Sequence, residues 1–155
     1  MSKRIGKYKV SAKESALSIV DGGTLGGSIV YNTLATTADT TLTSANCGQT
    51  VFVNGGTTHD VTLPSAVAGC SFTFFITDVT ADVDIVQAAA TEDFVGAIVD
   101  GAGTKDSAEA GDTKIIFDQT GGATVGDWVY VISDGTKWYV QGLCDNAAGV
   151  VFNGA

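Results

Sequence analysis

Positive charge is scarce in this chain and almost missing from most of its length. Five of its eight lysines and arginines (Lys3, Arg4, Lys7, Lys9 and Lys13) lie in the first thirteen positions, and only Lys105, Lys114 and Lys137 stand against sixteen carboxylates from residue 15 onward. Residues 15–155 therefore carry −13 and residues 1–14 carry +4, within a net charge of −9. A body so poor in cations excludes binding to a phosphate backbone, which needs Lys and Arg clustered on the folded surface. Long apolar runs are also lacking, so no segment is expected to span a membrane as a helix. The short run Ala16–Val20 stops at Asp21-Gly22-Gly23 and is too brief for a secretory h-region, so synthesis in a cytoplasm is expected.

Catalytic residue types are equally thin. His59 is the only histidine, and it follows Asn54-Gly-Gly-Thr-Thr, a turn composition, which predicts an exposed loop residue. With no second imidazole and no G-x-S-x-G elbow, nucleophilic catalysis has no base to rest on. Cys47, Cys70 and Cys144 are odd in number and widely spaced, which argues against a zinc site or a disulfide framework and predicts three buried free thiols. Asp82 and Asp84 alternate with Val83 and Ile85, placing both carboxylates on one solvated strand face with no opposed acid for glycoside chemistry. Asp100-Gly-Ala-Gly-Thr-Lys-Asp106 has Ala102 where a calcium ligand should stand and Gly111 where an EF-hand closes with Glu. Gly22–Gly27 is followed by no Gly-Lys-Ser/Thr and reads as a joint rather than a phosphate loop. The expectation is a protein without catalytic residues, cofactor or metal.

What is abundant is glycine, twenty residues against one proline, together with Thr, Val and Ala. From about residue 38 short β-patterned runs recur roughly every ten residues between Gly, Asp, Asn and Thr clusters, the spacing of an all-β sandwich or barrel. The expected strands are 40–43, 49–54, 60–63, 70–77, 83–87, 94–99, 113–118, 128–133, 136–142 and 150–153. Segment 100–112 reads as a surface loop and 145–149 as a turn. In 70–77 Cys70, Phe72, Phe74 and Ile76 share one face, and Phe75 is the one apolar residue on the other. No fixed-period repeat is visible, which argues against a solenoid. The division expected is an extended N-terminal arm, residues 1–35, before a sandwich, residues 36–155.

Trp128-Val-Tyr-Val-Ile-Ser-Asp-Gly-Thr-Lys-Trp-Tyr-Val140 is the clearest local signal. Asp134-Gly135 between two β runs predicts a type I′ hairpin in which Val131 faces Trp138 and Tyr130 faces Tyr139. One face then carries Val129, Val131, Trp138 and Val140, and the other carries Trp128, Tyr130, Ile132 and Tyr139. Trp138 belongs to the core. Since the second face is aromatic too, Trp128, Tyr130 and Tyr139 are expected at a subunit interface. The arm residues Lys3, Arg4, Lys7, Tyr8, Lys9 and Lys13 are expected to dock on a partner, because opposite-signed segments attract.

Residues 49–142 resemble a β-domain of tailed-bacteriophage structural proteins. The resemblance is carried by Val61-Thr-Leu-Pro-Ser-Ala66 with Gly69, by Phe72-Thr-Phe-Phe-Ile76, by Val83–Val86, by Gly126-Asp-Trp-Val129 and by Ser133-Asp-Gly-Thr-Lys-Trp-Tyr-Val140. It implies an antiparallel, jelly-roll-like β-sandwich and a virion component, most like the capsid decoration (cement) proteins that bind the shell of the major capsid protein. Tail-fibre, baseplate and spike subunits share the domain, and a carbohydrate-binding module is the alternative from another class. The resemblance further implies self-association as a homotrimer, with a homodimer serving the same physics, and a place on the capsid surface after synthesis in the host cytoplasm.

Overall fold

The computed structural model describes residues 32–154, and residues 1–31, which include all the basic residues of the N-terminal arm, lie outside them. Twelve strands follow in order: β1 Thr33–Thr36, β2 Thr40–Thr41, β3 Thr50–Asn54, β4 His59–Thr62, β5 Ser71–Asp78, β6 Val83–Val86, β7 Phe94–Asp100, β8 Lys105–Ser107, β9 Asp112–Phe117, β10 Trp128–Ser133, β11 Trp138–Cys144 and β12 Val150–Gly154. They build a seven-stranded sheet, ordered β1-β3-β5-β10-β11-β7-β8, and a five-stranded sheet, ordered β12-β9-β6-β4-β2. The all-β sandwich read from the sequence is the fold.

Its pairing is mixed rather than antiparallel. β1, β3 and β5 run parallel in the first sheet and β2, β4 and β6 run parallel in the second, so the chain alternates between sheets for its first six strands and winds as a two-sheet coil. The later strands pair antiparallel, apart from β11 on β7. Alternation fixes which face a residue takes but not which strand lies beside it, so the coil leaves no mark in the periodicity. Its turns differ in length, which is why no sequence repeat accompanies it: Thr33 pairs with Thr50, but Thr50 pairs with Thr73.

The core lies between the sheets. Val51, Val53, Phe72, Phe74, Ile76, Val129, Val131 and Trp138 point inward from one side, and Val61, Val83, Ile85, Ile115, Phe117 and Val150 from the other. Trp138 is fully buried beside Phe72, with ring centroids 6.1 Å apart. Gly96 on β7 permits a close approach to β11: it has φ +146°, and a Cβ there would strike the Val140 carbonyl oxygen.

Five local expectations are corrected. The turn of the β10–β11 hairpin is centred on Gly135-Thr136, one residue later than expected, so Val131 pairs with Val140, Ile132 with Tyr139 and Ser133 with Trp138. Asp134 causes the slip, because its carboxylate accepts from the amides of Thr136 and Lys137 at 2.8 and 2.9 Å and from the Thr136 hydroxyl at 2.8 Å. Each residue's partner moves by two positions, so every side chain keeps its predicted face. His59 is not a loop residue but a buried one on β4, where Nδ1 donates to the Thr57 carbonyl at 2.9 Å and Nε2 lies 3.3 Å from the Thr36 hydroxyl. Cys47 and Cys70 are joined in a disulfide rather than free, tying the turn at Ser44–Asn46 to the start of β5. Only Cys144 is a free buried thiol, and burial raises its pKa, which keeps it protonated and unreactive. Finally, segment 100–112 is not all loop, since β8 pairs with β7 there, and β1 joins the sheet at residues assigned to the arm.

Candidate interaction surface

The outer face of the seven-stranded sheet is where the predicted aromatic residues meet. Trp128 and Tyr130 alternate outward along β10 and Tyr139 points outward from β11, while Val129, Val131, Trp138 and Val140 fill the core. Register places Trp128 in a transverse row that crosses all seven strands: Ala35, Phe52, Phe75, Trp128, Leu143, Val99 and Lys105 are successive partners from β1 to β8. Phe52 and Phe75 stack at 6.1 Å, and Phe75 meets Trp128 at 6.4 Å. Tyr130 lies in a second row, between Thr73 on β5 and Gln141 on β11. Ile132 and Tyr139 belong to a third row, between Ser71 and Val95.

Two features set this face apart. Of the six large hydrophobic side chains exposed among the described residues, Phe52, Val95, Tyr139 and Leu143 are all here, so exposed apolar surface is concentrated rather than scattered. Apart from Asp78 at the end of β5, the outward positions of β3, β5, β10, β11 and β7 also hold no carboxylate, lysine, arginine or histidine, in a chain with seventeen carboxylates. Charge stands at the rim, as Asp78 at the end of β5, as Lys105 on the edge strand and as Asp93, Asp134 and Lys137 at the hairpin end. An uncharged aromatic centre inside a charged rim is the composition of a protein interface. A shallow groove of about 640 Å³ runs beside Trp128 and Leu143, and a second of about 280 Å³ lies between Tyr130, Tyr139 and Val95.

The opposite face of the sandwich differs. Asp60 and Asp84 point outward from the five-stranded sheet, and Lys114 bonds Asp84 at 2.7 Å. Asp82, just before β6, accepts the Gln119 amide at 2.7 Å, so the two alternating acids serve as local turn and ladder partners. Asp100 is buried and receives the amides of Ala102 and Thr104, a self-capped turn. Among the described residues no three His, Cys, Asp or Glu side chains converge in a way that would hold a metal ion.

The sequence reading placed Trp128, Tyr130 and Tyr139 on this face and missed Phe52, Leu143 and Val99. Phe75 was the available signal, the one apolar residue breaking the polar face of its strand. The arm residues Lys3, Arg4, Lys7, Tyr8, Lys9 and Lys13 fall outside the described residues. No helix among the described residues is long and apolar enough to cross a membrane. Comparison with protein-family models, curated proteins and solved structures finds no match to this chain.

Proposed function

We propose that this chain is a bacteriophage capsid decoration protein, a cement that binds the outer surface of the major capsid protein shell and stabilises it without catalysis. The observation that carries this reading is the uncharged aromatic sheet face on an otherwise acidic sandwich. Acidic bodies repel one another, and a face stripped of charge is where they can still be brought together. The basic residues of the arm, Lys3 to Lys13, then supply an electrostatic hold on the shell, independent of that face. The Cys47–Cys70 disulfide is in keeping with a particle that leaves the reducing cytoplasm, since such bonds persist in oxidising surroundings. The resemblance of residues 49–142 to phage structural β-domains supplies the particular setting.

The test is binding to pre-assembled shells by the full chain and by a chain lacking residues 1–13. The full chain should bind at fixed stoichiometry. The shortened chain should keep the circular dichroism of the sandwich, bind more weakly and lose much of its dependence on salt. Equal binding by both chains would refute the role of the arm, and no binding by the full chain would refute the cement reading. Retention on host cells instead would indicate a tail-fibre or spike subunit, and retention on a glycan array a carbohydrate-binding module.

A further inference from the structure

We propose that the outer face of the seven-stranded sheet docks on the same face of a second copy, about a two-fold axis running along β10. Phe75 of each copy would then pack on Leu143 of the other, Phe52 on Val99, and Trp128 on its own mate. This inference rests on reading the face as an assembly surface, and it does not depend on what the arm binds.

Charge selects the occupant. In an isologous contact each residue meets the same surface patch, so any net charge on it faces its own sign. A face within a body at −13 can pair with itself only if its centre carries none, and the outward positions of the five central strands meet that condition as far as Asp78, at the very end of β5. A surface kept for a cationic partner would instead display some of the sixteen carboxylates of the body.

Area is sufficient. Seven strands spaced about 4.8 Å apart, with three outward rows about 6.7 Å apart, give a footprint of roughly 600 Å² before the relief of the side chains is counted. A standard stable interface takes about 800 Å² from each partner. Two sheets in face-to-face contact need no further covering element, because aligned packing at about 10 Å is the geometry of a sandwich.

Shape selects the axis. β10 is the fourth of seven strands, and Trp128 is the fourth of seven residues in its row. To one side of it stand the large rings of Phe75 and Phe52, and to the other the smaller Leu143 and Val99. An axis along the row would set Phe52 on Phe52 and Val99 on Val99, leaving the sheets far apart at one end and close at the other. An axis along β10 sets each large ring on a smaller aliphatic group, so the two sheets lie at even separation. The third row follows the same rule, with Tyr139 meeting Ser71.

The experiment is sedimentation of the full chain, with two charged variants. Wild type should be dimeric at about 100 µM, above the micromolar range of weak standard-size interfaces. Phe75→Asp and Leu143→Lys should each give a folded monomer by circular dichroism, and an equimolar mixture should recover the dimer, since the new carboxylate and ammonium face each other. A mixture of Phe75→Asp with Phe75→Lys should stay monomeric. Recovery in that second mixture alone would overturn the axis. A wild-type chain that is monomeric at this concentration would overturn the proposal, whether or not it is retained on shells. A trimer would overturn it too.

Discussion

The phenol of Tyr139 donates a hydrogen bond to Asp134 across the hairpin turn at 3.1 Å. That carboxylate already holds the amide of Lys137 and the hydroxyl and amide of Thr136, and these bonds keep it well below the usual carboxylate range. The same bond and charge raise the Tyr139 pKa above its ordinary value. The two groups therefore limit the stability of the turn at opposite ends of the pH scale.

A depressed carboxyl stabilises the fold above its unfolded pKa of about 3.9, and that contribution is lost as pH falls through the lower folded value. Asp134→Asn should lower thermal stability at neutral pH, and the gap from wild type should close in strong acid. A raised phenol works in reverse: its contribution is present below a pKa of about 10 and is lost as pH rises through the folded value. In Asp134→Asn the ultraviolet titration of one tyrosine should shift to lower pH. An unshifted phenolate titration would show that the Tyr139 bond does not persist in solution.

Trp138→Ala removes the largest buried side chain of the core. A loss of about 3–5 kcal/mol in chemical denaturation is expected, the range for truncating a buried aromatic. Its indole N–H has no hydrogen-bond partner among the described residues, so the truncation breaks no polar bond and the loss is one of packing. A loss below about 0.5 kcal/mol, the size of a surface substitution, would contradict its place in the core.

Reduction of Cys47–Cys70 reopens a loop spanning 23 residues. The chain entropy so released corresponds to about 3 kcal/mol, and Tm should fall by roughly 10 °C in Cys47→Ser or in reductant. Equal melting of oxidised and reduced protein would place the whole benefit of the bond elsewhere.

Gly96→Ala tests the close approach of β7 to β11. A methyl group there has the Val140 carbonyl in its way and a backbone angle unfavourable to L residues, so a loss of at least about 2 kcal/mol is expected. The measurement is the denaturation midpoint, and an unchanged value would mean that the two strands can part at no cost.

Faces were far more legible than neighbours. Trp138 and Trp128 were assigned to opposite sides of the hairpin correctly although the turn was misplaced, because moving a turn centre by one residue shifts each pairing by two and preserves parity. His59 shows the limit of composition: its turn-like prefix outweighed the alternation of His59, Val61 and Leu63, all buried in the structure. The Cys47–Cys70 bond joins residues brought together by the winding of β3 and β5, which no spacing in one strand encodes. For the same reason the row of Phe52, Phe75 and Trp128 could not be read, since it exists only once β3, β5 and β10 lie side by side.

The two-sheet coil also sets an order of events during synthesis. β5 bonds to β3 on one edge as soon as both have been made, but its other edge belongs to β10, which begins about 50 residues later. At about 5–20 residues per second the ribosome needs several seconds to deliver it. Through that interval Phe72, Phe74 and Phe75 stand on the open margin of a half-built sheet, a template for pairing with any neighbouring chain. A chain cut short before Trp128 would keep that margin open permanently, and it should be recovered as aggregate rather than as a smaller sandwich.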